Sequence, residues 1–254
     1  YRQSPAAEDV KDAVRLLLNA HKPVIWSGMG VLFAGATAEL QEFAELIEIP
    51  VYTTMPGKSS FDERHPLALG SGSSSTSLPA RRWLQESDVL FAVGSSMTRT
   101  GYGQPIPDGK IIIHNVESIE DINKDFSVDV GLPGDAKLTL QAMIEEVKTQ
   151  AGENGRKGKT EVAAEIKGIR DGWIAEWTAL LNSDDVPINT YRVIGEIERN
   201  LDKENSIVTH DAGAPRDTMM PFYPGTTPHS YIGWGKTTHL GYGIPLMIGA
   251  KLAR

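Results

Sequence analysis

Short, unbroken apolar runs that stop on glycine or serine, each near an amphipathic stretch, recur along the first 150 positions of the chain. "KPVIWSGMG" is followed by "ATAELQEFAELIE", whose Leu40, Phe43, Ala44 and Ile47 fall on one helical stripe. The pattern returns in "IPVYTTM", in "DVLFAVGSS" after the helix-like "LPARRWLQES", and in "GKIIIHNVES". "FSVDVGLPGD" then leads into "AKLTLQAMIEEVKTQ". Strands that are apolar throughout, rather than alternating, belong to a sheet covered by helices on both faces. The spacing therefore predicts an α/β fold, a Rossmann-like doubly wound parallel sheet. An opening helix is expected over "AAEDVKDAVRLLLNA", with Val10, Val14, Leu17 and Leu18 at helical spacing.

The polar, glycine-rich "AGENGRKGKT" from Ala151 to Thr160 reads as a boundary. We expect a first domain over 1–150, a linker and connecting helix over 151–186, and an incomplete second α/β module over 187–254. In that module "DDVPINTYRVIGEIERNL" reads as a helix and "SIVTHDAG" as a strand with a turn at its end. "GYGIPLMIGAKLAR" reads as a helix without a sheet partner, so the module is expected to be truncated.

Composition removes several function classes. The formal net charge of −8 argues against a nucleic-acid or anionic-membrane surface. The only basic cluster, "GRKGK", sits in the glycine-rich boundary. Without cysteine there are no disulfides, Cys-zinc sites or thiol nucleophiles. No apolar run is long enough to span a bilayer, and "YRQSPAAEDV" lacks the basic start and apolar core of a signal peptide. A cytoplasmic protein is expected.

Motifs exclude more. "YIGWGKTTHLGYG" contains Gly235-Lys236-Thr237, but Ser230 stands where a P-loop needs its first glycine, and the preceding segment reads as loop. None of the six histidines has an i,i+4 histidine partner, and no metal site is expected. The serine-rich "GSGSSSTS" from Gly70 to Ser77 reads as a flexible or ligand-facing loop, not a nucleophile elbow. "SGMGVLFAG" has Phe33 where the dinucleotide fingerprint requires its third glycine. Gly28 and Gly30 either let a nucleotide approach the backbone or simply make a tight strand-to-helix turn.

These stretches, in this order, together with "SIVTHDAG" and "THLGYGIPLMIGAKLA", resemble thiamine-diphosphate-dependent enzymes, and among them the acetolactate synthase group. The likeness covers nearly the whole chain. It implies the central domain followed by the start of a C-terminal diphosphate-binding domain. The full-length parent would use thiamine diphosphate and Mg2+ to make or break a C–C bond next to a carbonyl, in a 2-oxo acid or an acyloin. It would act as a homodimer or homotetramer. The family's catalytic glutamate would lie before Tyr1 and its magnesium motif after Arg254, so the chain alone is expected to be inactive.

The resemblance also assigns residues. Leu240 would wedge the cofactor into its bent shape, and the Thr238 carbonyl would accept from its 4′-amino group. Gly213 and Ala214 would meet the diphosphate through backbone N–H groups. Acetolactate synthases carry Gln and His where this chain has Ala214 and Pro215. His239 could assist proton transfer or simply be exposed, and Arg216 could pair with a substrate carboxylate or make a surface ion pair. Plain core packing is the alternative for Leu240. Gly28, Gly30, Ser95, Glu117 and Asp135 would contact FAD or an ADP moiety, although Ser96 replaces the arginine of flavin-binding relatives. The rival readings are a non-catalytic adenine-nucleotide-binding module and a structural assembly domain.

Overall fold

The computed structural model describes residues 2–158, 160–233 and 239–253. Helix α1 (Ala7–Asn19) leads into strand β1 (Val24–Ser27), and a short α2 (Met29–Ala34) and α3 (Thr37–Ile47) follow. Then come β2 (Val51–Thr54), β3 (Ala68–Gly72), α4 (Leu78–Glu86), β4 (Val89–Val93), β5 (Ile111–Val116), β6 (Val130–Pro133) and α5 (Ala136–Ala151). The six strands form one parallel sheet in the order β3-β2-β1-β4-β5-β6. That is the doubly wound order, and its direction reverses between β1 and β4.

Burial on both faces explains the unbroken apolar runs. On one face Ile25, Val51, Phe91 and Ile113 pack under α1, α3 and α5, with Phe91 edge-on to Phe43 of α3 at 5.8 Å. On the other, Val24, Trp26, Tyr52, Leu90 and Ile112 pack with Trp83 and Leu84 of α4. Alternate residues of the central strands β1 and β4 thus serve opposite cores, and both strands are buried throughout.

One expectation is corrected. The segment from Gly70 was read as loop, but β3 runs to Gly72 and forms the edge of the sheet. Gly70 has φ +100° and the register slips between Val51 and Tyr52, so an irregular, glycine-bearing edge strand replaces the apolar run expected of a strand. Ser77, at the end of the serine run, caps α4 by accepting from Ala80 N–H and donates its hydroxyl to the Leu69 carbonyl.

The glycine-rich stretch after α5 is pinned to the end of α3. Arg156 N–H donates to the Leu46 carbonyl at 2.8 Å, and Gly158 N–H to the Glu48 carboxylate. Helix α6 (Val162–Leu181) then places Ile166 in the core under α4 and stacks Trp173 on Phe222 at 5.0 Å. Phe222 belongs to the second unit, which comprises α7 (Thr190–Asn200), β7 (Val208–Thr209), α8 (Ala214–Phe222), β8 (Tyr231–Ile232) and α9 (Gly243–Ala253). Strands β7 and β8 pair in parallel. Met55, from the loop after β2, enters the core of this unit beside Ile194, Met219 and Tyr231.

Candidate functional site

At the reversal of strand order, the loops after β1 and β4 flank a cavity of about 580 Å3. Trp26, Gly28, Gly30, Tyr52 and Ser95 are among the residues lining it. Three of the five expected nucleotide contacts are therefore brought together. The other two are placed elsewhere. Asp135 caps α5 by accepting from Leu138 N–H at 3.0 Å and lies 3.5 Å from the Arg2 guanidinium. Glu117 is exposed beyond the end of β5 and does not line the cavity.

The glycines here hold loop against loop. A Cβ on Gly28 would lie 2.3 Å from the Gly94 carbonyl oxygen, and one on Gly30 would lie 2.7 Å from Gly94 Cα. Ser95 is fixed from both sides: its carbonyl accepts from His114 Nε2 at 2.7 Å, and its hydroxyl accepts from Met97 N–H at 3.2 Å. Burial holds the His114 pKa below the ordinary histidine value, so the ring is neutral and donates through Nε2.

The second candidate region lies at the ends of β7 and β8. Gly213 has φ +78° and stands immediately before α8, with Ala214 as the first helical residue. Asp211 organises this turn. Its carboxylate accepts from Ala212 N–H at 2.7 Å, from Gly241 N–H at 3.1 Å and from Gly243 N–H at 3.0 Å. It thereby ties the Gly213 turn to the start of α9, and Gly241, at φ +81°, allows the approach. Hydrogen bonds from Gly243 and Ala212 hold the Asp211 pKa below the usual aspartate value. The sequence reading named the Asp211 turn but gave Asp211 no role. An aspartate just before a small-residue turn is a capping signal, yet its partner lies thirty residues on.

Leu240, Ile244, Ile248 and Leu252 form an exposed apolar face along and before α9, with Leu240 80 % exposed. His239 is exposed beside it. Arg216 is buried, pairs with Asp217 at 2.8 Å and lies 5.2 Å from the Tyr102 ring. Thr238 and the Gly235-Lys236-Thr237 sequence lie outside the described residues. No cluster of metal-ligating side chains occurs among the described residues.

Asp211→Ala removes the acceptor for all three amides. Hydrogen exchange at Gly241 and Gly243 is expected to quicken on the order of tenfold, the usual scale for losing a bond to a charged group. Because the folded pKa is depressed, the clamp holds above the ordinary value near 3.8 and fails as pH falls through the folded value. Unchanged exchange in Asp211→Ala at neutral pH would refute the clamp.

A buried polar group joins the two units. Lys58, on the loop after β2, is fully buried, and its Nζ lies 2.6 Å from Glu63 Oε1 and 3.2 Å from Ser71 Oγ. Ser71 donates to the same Glu63 oxygen and lies 2.5 Å from Thr53 Oγ1. Glu63 N–H donates to the Gly225 carbonyl of the second unit at 3.0 Å. Sequence reasoning missed this group because a lysine carries no local sign of burial.

The fold and these sites define a doubly wound α/β protein with a crevice at the switch point and a smaller α/β unit packed against it. Residues 10–143 match the family model described as thiamine pyrophosphate enzyme, central domain, and the chain belongs to that family. It is 32% identical over 256 residues to a probable acetolactate synthase large subunit of Methanococcus aeolicus, covering 96% of this chain and 42% of that protein. It is 31% identical to the acetolactate synthase large subunit of Corynebacterium glutamicum, covering 98% of this chain and 39% of that one. The benzoylformate decarboxylase of Polynucleobacter necessarius superposes over 99% of this chain and 45% of its own, with a TM-score of 0.71 and 18% identity, a likeness of fold. The chain thus spans less than half the length of these relatives.

Proposed function

We propose that this chain forms the central layer and the opening of the diphosphate-binding layer of an enzyme that makes or breaks a C–C bond next to a carbonyl. Its substrate would be a 2-oxo acid or an acyloin, in keeping with relatives named acetolactate synthase. The observation that carries the reading is the Asp211 clamp, which holds a glycine turn at a helix N-terminus beside an apolar helix start. A helix N-terminus suits a diphosphate, and an exposed apolar shelf suits a ring. When bound, thiamine diphosphate supplies a thiazolium carbon that adds to the substrate carbonyl and accepts the electrons released as the C–C bond breaks.

Gly213 and Ala214 would present backbone N–H groups to the diphosphate, and Leu240 would buttress the ring system. Thr238 would accept from the 4′-amino group. The described residues offer no ligand set for Mg2+, so the metal would be held by groups outside them. Without that counter-charge, backbone donors compete directly with water, and the 254-residue chain alone is expected to bind the cofactor poorly.

Calorimetry with thiamine diphosphate and Mg2+, and a pyruvate-consumption assay, test this. The 254-residue chain should show neither micromolar binding nor turnover, and a longer gene product containing it should show both. Binding by the short chain alone would place the cofactor site elsewhere. Failure of the longer product to bind would sink the proposed function.

A further inference from the structure

Between the edge strand β3, helix α6 and helices α7 and α8 of the second unit lies a cavity of about 340 Å3, at the small end of the range for ligand pockets. Arg170 of α6 lines it and is half-buried. Its Nη2 donates to the Ala68 carbonyl of β3, whereas Nε and Nη1 have no partner among the described residues. No carboxylate there lies within ion-pair distance of it. Arg192, Arg199 and Arg216, by contrast, each hold a carboxylate at 2.8 Å. Burial pulls the Arg170 pKa below the ordinary arginine value, and the charges of Glu63 and then Asp171 push it back without pairing with it. A guanidinium keeps its charge at physiological pH, and an enclosed one rarely lacks an anion.

The two carboxylates that also line the cavity are already taken. Glu63 Oε1 is held by Lys58 Nζ at 2.6 Å, and Glu198 Oε1 by Lys203 Nζ at 3.1 Å. Arg199 lines the cavity too, but Glu196 neutralises it. The uncompensated charge of the wall is therefore that of Arg170. Ile174, Leu181, Phe222 and Pro224 give the same wall an apolar part, and each keeps some of its surface exposed. A cation beside accessible apolar surface suits an anion that carries an apolar tail. A planar fork of N–H donors suits a carboxylate.

We propose that this cavity binds a monocarboxylate with a short apolar tail, its carboxylate on the free N–H groups of Arg170 and its tail against Ile174 and Phe222. The site is independent of the thiamine reading, since no residue of the Asp211 clamp takes part in it.

Titration of the 254-residue chain with hexanoate, hexanamide, acetate and inorganic phosphate, followed by melting temperature and tryptophan fluorescence, tests it. Trp173 lines the cavity and reports its occupancy. Hexanoate should saturate the protein below about 10 mM, the weak end of specific recognition. It should bind at least about fivefold more tightly than hexanamide, which keeps the tail and loses the charge. The same margin is expected over acetate and phosphate, which keep a charge and lose the tail. Arg170→Gln should weaken hexanoate roughly tenfold and leave hexanamide unchanged. Arg170→Lys keeps the charge without the planar fork; it serves if the first variant does not fold, and should weaken hexanoate several-fold. Absence of saturation by hexanoate would overturn the proposal, as would a smaller preference over any of the other three probes. So would unchanged hexanoate affinity in a variant that folds.

Discussion

Lys58→Met lowers the stability of the protein by roughly 3–5 kcal/mol, because it leaves a carboxylate buried without its cation. The side chain is fully buried and its ammonium lies 2.6 Å from Glu63 Oε1, whose own side chain is only 9% exposed. Burial pulls the Lys58 pKa down, and the adjacent Glu63 charge and hydrogen bond push it back up. Methionine matches the length of the lysine stem but supplies no charge, so the loss is electrostatic and not a cavity. Glu63→Gln in the Lys58→Met background removes the stranded charge and should recover most of the loss. Urea denaturation measures both, and a loss below about 1 kcal/mol for the single variant would mean that solvent reaches the pair. The consequence extends to the second unit, because Glu63 N–H holds the Gly225 carbonyl and the Lys58 ammonium lies 5.4 Å from the Tyr231 ring.

Gly94→Ala is expected to cost about 3 kcal/mol or more, whereas Gly35→Ala costs about 1 kcal/mol. The two glycines share a left-handed φ, +60° at Gly94 and +61° at Gly35. They therefore share the penalty that a side chain incurs in the left-handed region. They differ in surroundings. A Cβ on Gly94 would lie 2.6 Å from Val31 N and 2.8 Å from Gly30 C, both backbone atoms, whereas a Cβ on Gly35 would have nothing within 4 Å. Backbone cannot swing aside as a flexible side chain can, so the loops after β1 and β4 must separate. Thermal melts of the two variants isolate the crowding term by difference. Equal losses would refute the close approach of the two loops.

The legible part of the fold was the part set by short-range pattern. Runs such as "VIWS" and "VLFAV" were readable as two-faced strands because they are apolar up to the serine that ends the first, and each residue is buried as expected. The stripe Leu40, Phe43, Ala44 and Ile47 was readable because helical spacing puts those four on one side, where all are buried. Strand β3 was not readable. Its glycines and serines match a loop by composition, and only its pairing with β2 holds it extended. Within the crevice, Gly28, Gly30 and Ser95 were grouped by the family resemblance, and the structure puts them at the ends of the neighbouring strands β1 and β4. Asp135 could not be separated from them, because the capping bond that occupies its side chain depends on where α5 begins.

The sequence by itself determined the class of sheet and the positions of most strands and helices, which rest on hydrophobic period and turn chemistry acting over a few residues. The family likeness was carried by the ordered stretches themselves. Only the tertiary structure decided which polar groups are committed to one another: the Gly28 and Gly30 amides to the Val93 and Gly94 carbonyls, Lys58 to Glu63, and Asp211 to amides at Gly241 and Gly243. Hydrogen bonding and charge pairing depend on distance in space. Residues that fold together from distant points of a chain leave no local periodicity to mark them.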